Sequence, residues 1–398
     1  MCFDPDPDLV GRLSRAEFPI EEPGFAELQA SNRLRLRYTT DPATLGQCEV
    51  VFFALDVRTN TRNESDHGPL RALVAEAAPF LAPGSTAVVL SQVPPGFMRE
   101  LASTTRSAAG SWFYQVETLI FGAAVQRAME PERYIIGALD PKTPLPAPYQ
   151  AWLGAFGCPL LVMRLESAEL AKIAINFYLV STVATSNTLA EICEKIGADW
   201  SEIAPALRLD KRIGPHAYLK PGLGIAGGNL ERDLVTVQTL ARRYGTEAGI
   251  ISAWQHNSVH AKAWALRTLR REVLATVPGA RVALWGLAYK QDTHSIKNSA
   301  AIELIEALPA CNLQGYDPQA HVKPDAYRNL QVHPSALSAL PGADALVIMT
   351  PWKEFSAITA ATIRSSLAGS VVIDPYGALN PDACAAAGLR YFQIGRPF

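Results

Sequence analysis

From Glu166 to Lys195 the chain runs thirty residues, ESAELAKIAINFYLVSTVATSNTLAEICEK, without a glycine or a proline. Such a stretch predicts a single helix, ~45 Å long if continuous. It is apolar nearly all round, so it must be covered on more than one side. One small domain rarely covers such an element. The helix therefore predicts a junction between domains and a subunit interface, which we expect to be that of a homodimer.

The flanking segments alternate strand and helix. CEVVFFAL (48–55) and STAVVLSQV (85–93) have the short, β-branched composition of buried strands, and GPLRALVAEAAPFLAPG between them reads as a crossover helix closed by Pro and Gly. ERYIIGAL (132–139) adds a strand. A second helical stretch is expected over 233–275. The alternation then restarts with RVALWGLAYK (281–290), the helix NSAAIELIEAL, and strands at LQGYDP (313–318), ADALVIMT (343–350) and SVVIDPYG (370–377). Strand–helix–strand alternation implies parallel sheets. The length, 398 residues, calls for two or three domains. We place them at 1–163, 164–276 and 277–398.

Composition excludes several classes. Hydrophobic content of 48% and charged content of 19% suit a soluble, well-packed enzyme, and a net charge of -2 gives no basic field for nucleic acid or an anionic membrane. No apolar run reaches the ~18 residues needed to cross a bilayer, and residues 1–30 carry no signal-peptide pattern. The cysteines (Cys2, Cys48, Cys158, Cys193, Cys311, Cys384) show no paired spacing. This argues against a metal site or a disulfide framework and favours a reducing cytoplasm.

Four places could carry chemistry. Lys172 and Asn176, four apart, share one face of the long helix. A lysine there either snorkels out or has a partner in a solvated cleft. Glu117 and Phe121 repeat the four-residue spacing, which a solvated face would also explain. PGLGIAGGNLERDL (221–234) is a glycine-rich loop running into a helix. GLAYKQDTHSIKNS (286–299) sets a glycine turn, Lys290 and Lys297 between a strand and a helix, either as a phosphate-holding turn or as a plain connection.

Taken in order, these segments resemble the UDP-glucose/GDP-mannose dehydrogenase family nearly end to end. The matching stretches are FPIEEPGFAEL (18–28), VPPG (93–96), AELAKIAINFYLVSTVATSNTLAEICEKIGAD (168–199), RIGPHAYLKPGLGIAGG (212–228), GLAYK, GYDP (315–318), TPWKEF (350–355) and IGRP (394–397). Their collinear order carries the resemblance more than any one of them. It implies two Rossmann-like parallel-sheet domains joined by a central helical dimerisation region. It also implies NAD-dependent oxidation of a sugar C6 alcohol to a carboxylate through a thiol-trapped intermediate. Under the resemblance Lys172 stabilises developing oxyanions with Asn176 as its polar partner, Glu117 matches a family glutamate, and Asp233 helps organise the hydrolytic water. Arg212, Tyr218, Gly222, Gly224, Gly227, Gly228 and Lys290 fall on the nucleotide-sugar side. Asp4, Val93, Pro94 and Lys297 fall on the cofactor side.

The departures are specific. Asn229 stands where the family places its nucleophilic cysteine, Phe121 replaces a second glutamate, Gln92 a threonine, and Tyr376 an arginine. Under the resemblance Met1 falls within the family's second strand, and CFDPD (2–6) matches the segment whose acid meets the ribose. The first domain therefore lacks the opening strand and its G-x-G-x-x-G turn, either because the sequence is shortened or because this member has abandoned dinucleotide binding there. We expect a sequence shortened at Met1 and NAD binding weakened or lost. The expected function is a divergent nucleotide-sugar dehydrogenase acting on a UDP- or GDP-sugar, in the family's setting of polysaccharide precursor supply, with four-electron oxidation in doubt. The alternatives are a catalytically silent nucleotide-sugar-binding protein, or a two-electron oxidoreductase whose Lys–Asn pair resembles that of β-hydroxyacid dehydrogenases.

Overall fold

A computed structural model describes residues 1–20, 22–107, 109–323 and 326–397. The chain forms two compact units, Met1–Ile175 and Asn176–Phe398.

The first unit holds two sheets. Strands β1 (Cys2–Phe3) and β2 (Tyr38–Thr39) form a parallel pair. Strands β3 (Val50–Phe53), β4 (Thr86–Val89), β5 (Ser111–Gln115), β6 (Tyr134–Ala138) and β7 (Leu160–Arg164) make a second sheet in that order. Its pairs are parallel except β5–β6, which is antiparallel. The expected alternation therefore gives a mixed sheet. Strands β5 and β7 were not expected from the sequence.

Helix α1 (Gly68–Ala77) crosses between β3 and β4, and helix α2 (Phe97–Thr104) follows β4. Leu70, Val74, Met98 and Leu101 bury one sheet face against Phe53 and Val89. On the other face Phe113, Ile136, Tyr149 and Leu153 pack together, and the Tyr149 hydroxyl donates to Gln115 Oε1 at 2.9 Å.

Helix α3 (Leu165–Ile196) is the expected long helix, uninterrupted over 32 residues. Its first turns are buried in the first unit through Leu165 and Ala168. A Cβ on Gly137 would stand 3.0 Å from Ala168 Cβ, so a side chain at 137 would push helix and strand apart. Further along, Tyr178 is 78% exposed, and Leu189, Ile192 and Ile196 are also exposed.

In the second unit the expected single stretch over 233–275 is divided. Helix α4 (Asn229–Tyr244) ends at Gly245, whose left-handed backbone (φ 68°) closes the helix. Helix α5 (Gly249–Lys262) follows, then a short helix Trp264–Leu269 and a π turn Arg270–Leu274. Strands β8 (Arg281–Trp285), β9 (Asn312–Tyr316), β10 (Leu330–Val332), β11 (Ala345–Ile348), β12 (Val371–Ile373) and β13 (Arg390–Phe392) form one parallel sheet in the order β10-β9-β8-β11-β12-β13. It is a doubly wound, Rossmann-like sheet. Its central strand β8 is buried from Val282 onward, and Trp285 Nε1 donates to the Ala336 carbonyl at 2.9 Å.

Candidate functional site

The glycine loop is held tightly in the second unit. Gly222 N–H donates to Asn187 Oδ1 on α3, and Ile225 N–H to Ser258 Oγ on α5. Gly224 and Gly227 have φ of 70° and 92°, and a Cβ on either would lie within 2.6 Å of Ser258 or the Tyr289 ring. Only glycine fits so close an approach in the left-handed region. Gly227 N–H donates to the Lys297 carbonyl at 3.2 Å, and Gly228 N–H donates to Glu231 Oε2 at 3.0 Å. Glu231 Oε1 in turn accepts from Asn298 at 3.1 Å, so the 286–299 segment and the glycine loop form one wall.

The loop opens helix α4. Asn229 is its first residue and is exposed, at the end where backbone N–H groups lack intrahelical acceptors. One turn on, Asp233 is buried, its Oδ2 accepting from Asn176 Nδ2 at 2.5 Å and its Oδ1 lying 3.4 Å from Arg232 Nε. Arg232 is itself buried. Sequence reasoning missed it, as it missed Asn187 and Ser258. Asn187 stands in TSNT and Ser258 in QHNS, so no lone polar residue marked either in the sequence.

Arg212 sits on a turn and bonds Asp210 through Nε and Nη2. Its side chain is 89% exposed. Tyr218 is exposed, with its carbonyl accepting from Ser186 Oγ. Lys290 and Lys297 are half-buried. Tyr376 packs on the loop: a Cβ on Gly222 would stand 2.8 Å from its ring, and Leu223 N–H donates to its hydroxyl at 3.4 Å. Burial pushes that phenol up to about 12. A cavity of about 180 Å³ lies between the loop, Tyr289, Met349 and Tyr376.

In the first unit Glu117 lies on the loop after β5, so the helical spacing with Phe121 is not realised; Phe121 is half-exposed in the following turn. Burial raises the proton affinity of Glu117, while the Thr118 N–H bond (2.8 Å), Lys172 and Arg127 pull it back. Lys172 is half-buried on α3, one helical turn before Asn176.

Asp4 follows β1, half-buried, with Oδ1 accepting from Asp6 N–H at 2.9 Å. Val93 and Pro94 form the turn after β4, closed by Phe97 N–H on the Pro94 carbonyl, and Gln92 precedes them half-buried. Both places stand at the carboxyl ends of parallel strands. Residues 1–175 contain no G-x-G-x-x-G turn for a dinucleotide pyrophosphate.

Among the described residues no cluster of three or more His, Cys, Asp or Glu could hold a metal ion, and no helix is long and apolar enough to cross a membrane.

Comparison with known proteins gives one family throughout. The NAD-binding domain model of the UDP-glucose/GDP-mannose dehydrogenase family matches residues 1–149, its central domain 166–258, and its UDP-binding domain 283–381. UDP-glucose 6-dehydrogenase of Rhizobium meliloti is 30% identical, over the whole of this chain and 94% of that protein. The putative UDP-glucose 6-dehydrogenase YtcA of Bacillus subtilis is 28% identical, also over the whole chain and 94% of its own length. A UDP-glucose dehydrogenase structure from Pyrobaculum islandicum superposes with a TM-score of 0.84 at 25% identity, covering 99% of this chain and 91% of that one.

Proposed function

The chain belongs to the UDP-glucose/GDP-mannose dehydrogenase family, and from that premise we propose that it oxidises the primary alcohol of a UDP- or GDP-linked sugar once and releases the aldehyde. In that step R–CH₂OH loses a hydride and a proton to become R–CHO. NAD, when bound, supplies the hydride acceptor. Asp4 and the Val93–Pro94 turn would hold its ribose and nicotinamide ends, and Lys297 lies on the phosphate-holding segment.

The observation that carries this reading is Asn229 at the head of α4. A carboxamide there donates to a substrate oxygen but forms no covalent adduct. The aldehyde is therefore not held for a second oxidation. The rest of the polar machinery is present. Lys172 stabilises the developing alkoxide. Glu117, its proton affinity raised by burial, takes the alcohol proton. Asp233 fixes the Asn176 amide through the 2.5 Å bond. Gly222–Gly228, Arg212, Tyr218 and Lys290 serve the nucleotide sugar. In this reading residues 1–163 are the cofactor domain, 164–276 the subunit-contact and substrate region, and 277–398 the nucleotide domain.

A second reading, a nucleotide-sugar-binding protein without turnover, rests on the same Asn229, which offers no nucleophile at the head of α4. One experiment separates them. The protein is incubated with NAD and a panel of UDP- and GDP-sugars, with hydroxylamine present to trap aldehyde as oxime. One NADH and one oxime per sugar consumed is the expected result. Two NADH per sugar with free uronate would overturn the proposal. Saturable sugar binding with no NADH would move the protein to the second reading.

A further inference from the structure

The turn from Val93 to Gly96 joins β4 to α2 and is tied to the first unit at both of its ends. Just before it, Ser91 Oγ donates to the Leu55 carbonyl at 2.6 Å, beyond the end of β3. At its far end a carboxylate from α3 takes over. Glu169 Oε2 accepts from Gly96 N–H and Oε1 from Met98 N–H, both at 2.7 Å. Glu169 is 0% exposed.

Helix α2 has no cap of its own. Its N-cap is Gly96, which carries no side chain and stands at φ 93°. The Ser, Thr or Asp that usually caps a helix takes the extended region, so it would be strained there. Pro94 and Pro95 have no N–H to donate, and the turn closes through Phe97 N–H on the Pro94 carbonyl at 3.1 Å. Burying a carboxylate is costly unless it is paired, and here both oxygens are given to one helix start. With those donors spent internally, the head of α2 is not offered to a ligand phosphate. A second contact between the same helices, Glu166 with Arg99 Nε at 2.5 Å, lies at the surface and bonds side chain to side chain. The Glu169 contact instead bonds the backbone of the turn.

We propose that Glu169 is a positioning residue for this turn: by fixing the Gly96 and Met98 N–H groups it fixes where Val93 and Pro94 stand, and so how tightly the nicotinamide end of NAD is held. The inference rests on the reading that Val93 and Pro94 meet that end. Without the carboxylate, two N–H groups at a buried helix start lose their acceptor, and the chain must shift to find another. Val93 and Phe97, 2% and 5% exposed, are embedded in the core, so the shift falls on the short Pro94–Gly96 link between them. The glycine loop of the second unit keeps its own bonds to Asn187, Ser258 and Glu231. The effect is therefore confined to one ligand.

The test compares Glu169→Gln and Glu166→Gln with the parent protein. NADH binding is read from NADH fluorescence, and UDP-glucose and GDP-mannose binding by titration calorimetry. Glutamine keeps one acceptor oxygen and sets an amide NH₂ against the other donor. One charge-assisted bond lost corresponds to about tenfold in affinity, so Glu169→Gln should weaken NADH binding by about that factor. Sugar-nucleotide affinity should stay as in the parent, and amide hydrogen exchange should quicken at residues 96–98. Glu166→Gln should change none of these. If Glu169→Gln does not fold, Ser91→Ala releases the other end of the turn and should show the same selective loss. Unchanged NADH affinity, both ligands weakened in proportion, or equal harm from Glu166→Gln would overturn the proposal. A parent protein that binds no NADH, with exchange at 96–98 still quickened in Glu169→Gln, would instead refute the reading of the turn as a cofactor contact, and this role with it.

Discussion

Asn229 sits at the first position of a 16-residue helix, where free N–H groups and the helix dipole favour negative charge. A thiol at such a position ionises more readily than a free cysteine. Asn229→Cys is therefore expected to gain a reactive thiolate beside Asp233 and to move the product from aldehyde towards acid. The measurement is NADH formed per sugar consumed, which should rise from one towards two as uronate appears. An unchanged ratio, with the thiol shown to be alkylatable, would place the lost second oxidation elsewhere, with Phe121 and Gln92 the first suspects. At this scale the sequence was informative where a residue type stands alone. Asn229, Asp233 and Asn176 were proposed from their positions in motifs, and the structure joins Asn176 to Asp233. Arg232 was not, because an arginine among ERD on an amphipathic helix looks like a solvated charge until burial is known.

Among the elements, α3 was legible because thirty residues without Gly or Pro leave few alternatives. Strands β5 and β7 were not, since SWFYQ and LLVMR are short and lack the alternation that distinguishes a strand from part of a buried helix. Glu117 followed from that miss: without β5, the loop after it looked helical. The stop at Gly245 carried a usable signal, a glycine directly after ARRY. A contact between elements was also beyond sequence reasoning. Glu169 of α3 is buried and accepts from Gly96 and Met98 N–H at 2.7 Å, capping α2 from a distance. Burial pushes its carboxyl up to about 7, and the two N–H donors oppose that rise. Glu194 is pushed up to about 6 for the same reason. A carboxyl with a raised folded-state value holds its proton longer in the native state than in the unfolded one. Its stabilisation is present below the ordinary value of 4.5 and is lost as pH rises towards 7. For Glu169 the loss is on the order of 3 kcal/mol. Urea unfolding at pH 5, 6 and 7.5 should show Glu169→Gln flattening the decline relative to the parent protein. A variant that runs parallel to the parent across that window would show that Glu169 does not titrate there.

Over the whole molecule, what the sequence conveyed best was the order of parts: α/β, helical, α/β. The division into two compact units falls within α3, between Ile175 and Asn176, and no composition shift marks it. The all-round apolarity of that helix is only partly used within the chain. A groove of about 830 Å³ between α3 and α5 is lined by Ala184, Leu189, Ile192 and Trp254 among others, with Leu189 and Ile192 each more than 40% exposed. Polar residues Thr188, Glu191, Lys195, His256, Asn257 and His260 share the groove with these apolar side chains. We predict a homodimer through this face, with Ile192→Glu shifting the mass measured by light scattering at micromolar concentration towards the monomer. A monomeric parent protein would refute it.

The two ligand sides of the molecule are unequally equipped, and this leads to a prediction about the protein as a whole. On the nucleotide-sugar side the second unit has a complete doubly wound sheet and a glycine loop held at Asn187, Ser258 and Glu231. On the proposed cofactor side stand Asp4 and the Val93–Pro94 turn, and the sequence of residues 1–175 carries no G-x-G-x-x-G pattern, the turn whose N–H groups meet a pyrophosphate in such folds. Each charge-assisted hydrogen bond forgone costs ~1.5–3 kcal/mol. Two of them weaken binding by roughly a hundredfold or more. We therefore predict that the 398-residue protein binds a UDP- or GDP-sugar more tightly than it binds NAD. Titration calorimetry with UDP-glucose, GDP-mannose and NAD measures the ratio directly. Micromolar NAD binding would show that the first unit holds the dinucleotide through groups other than a G-x-G-x-x-G turn.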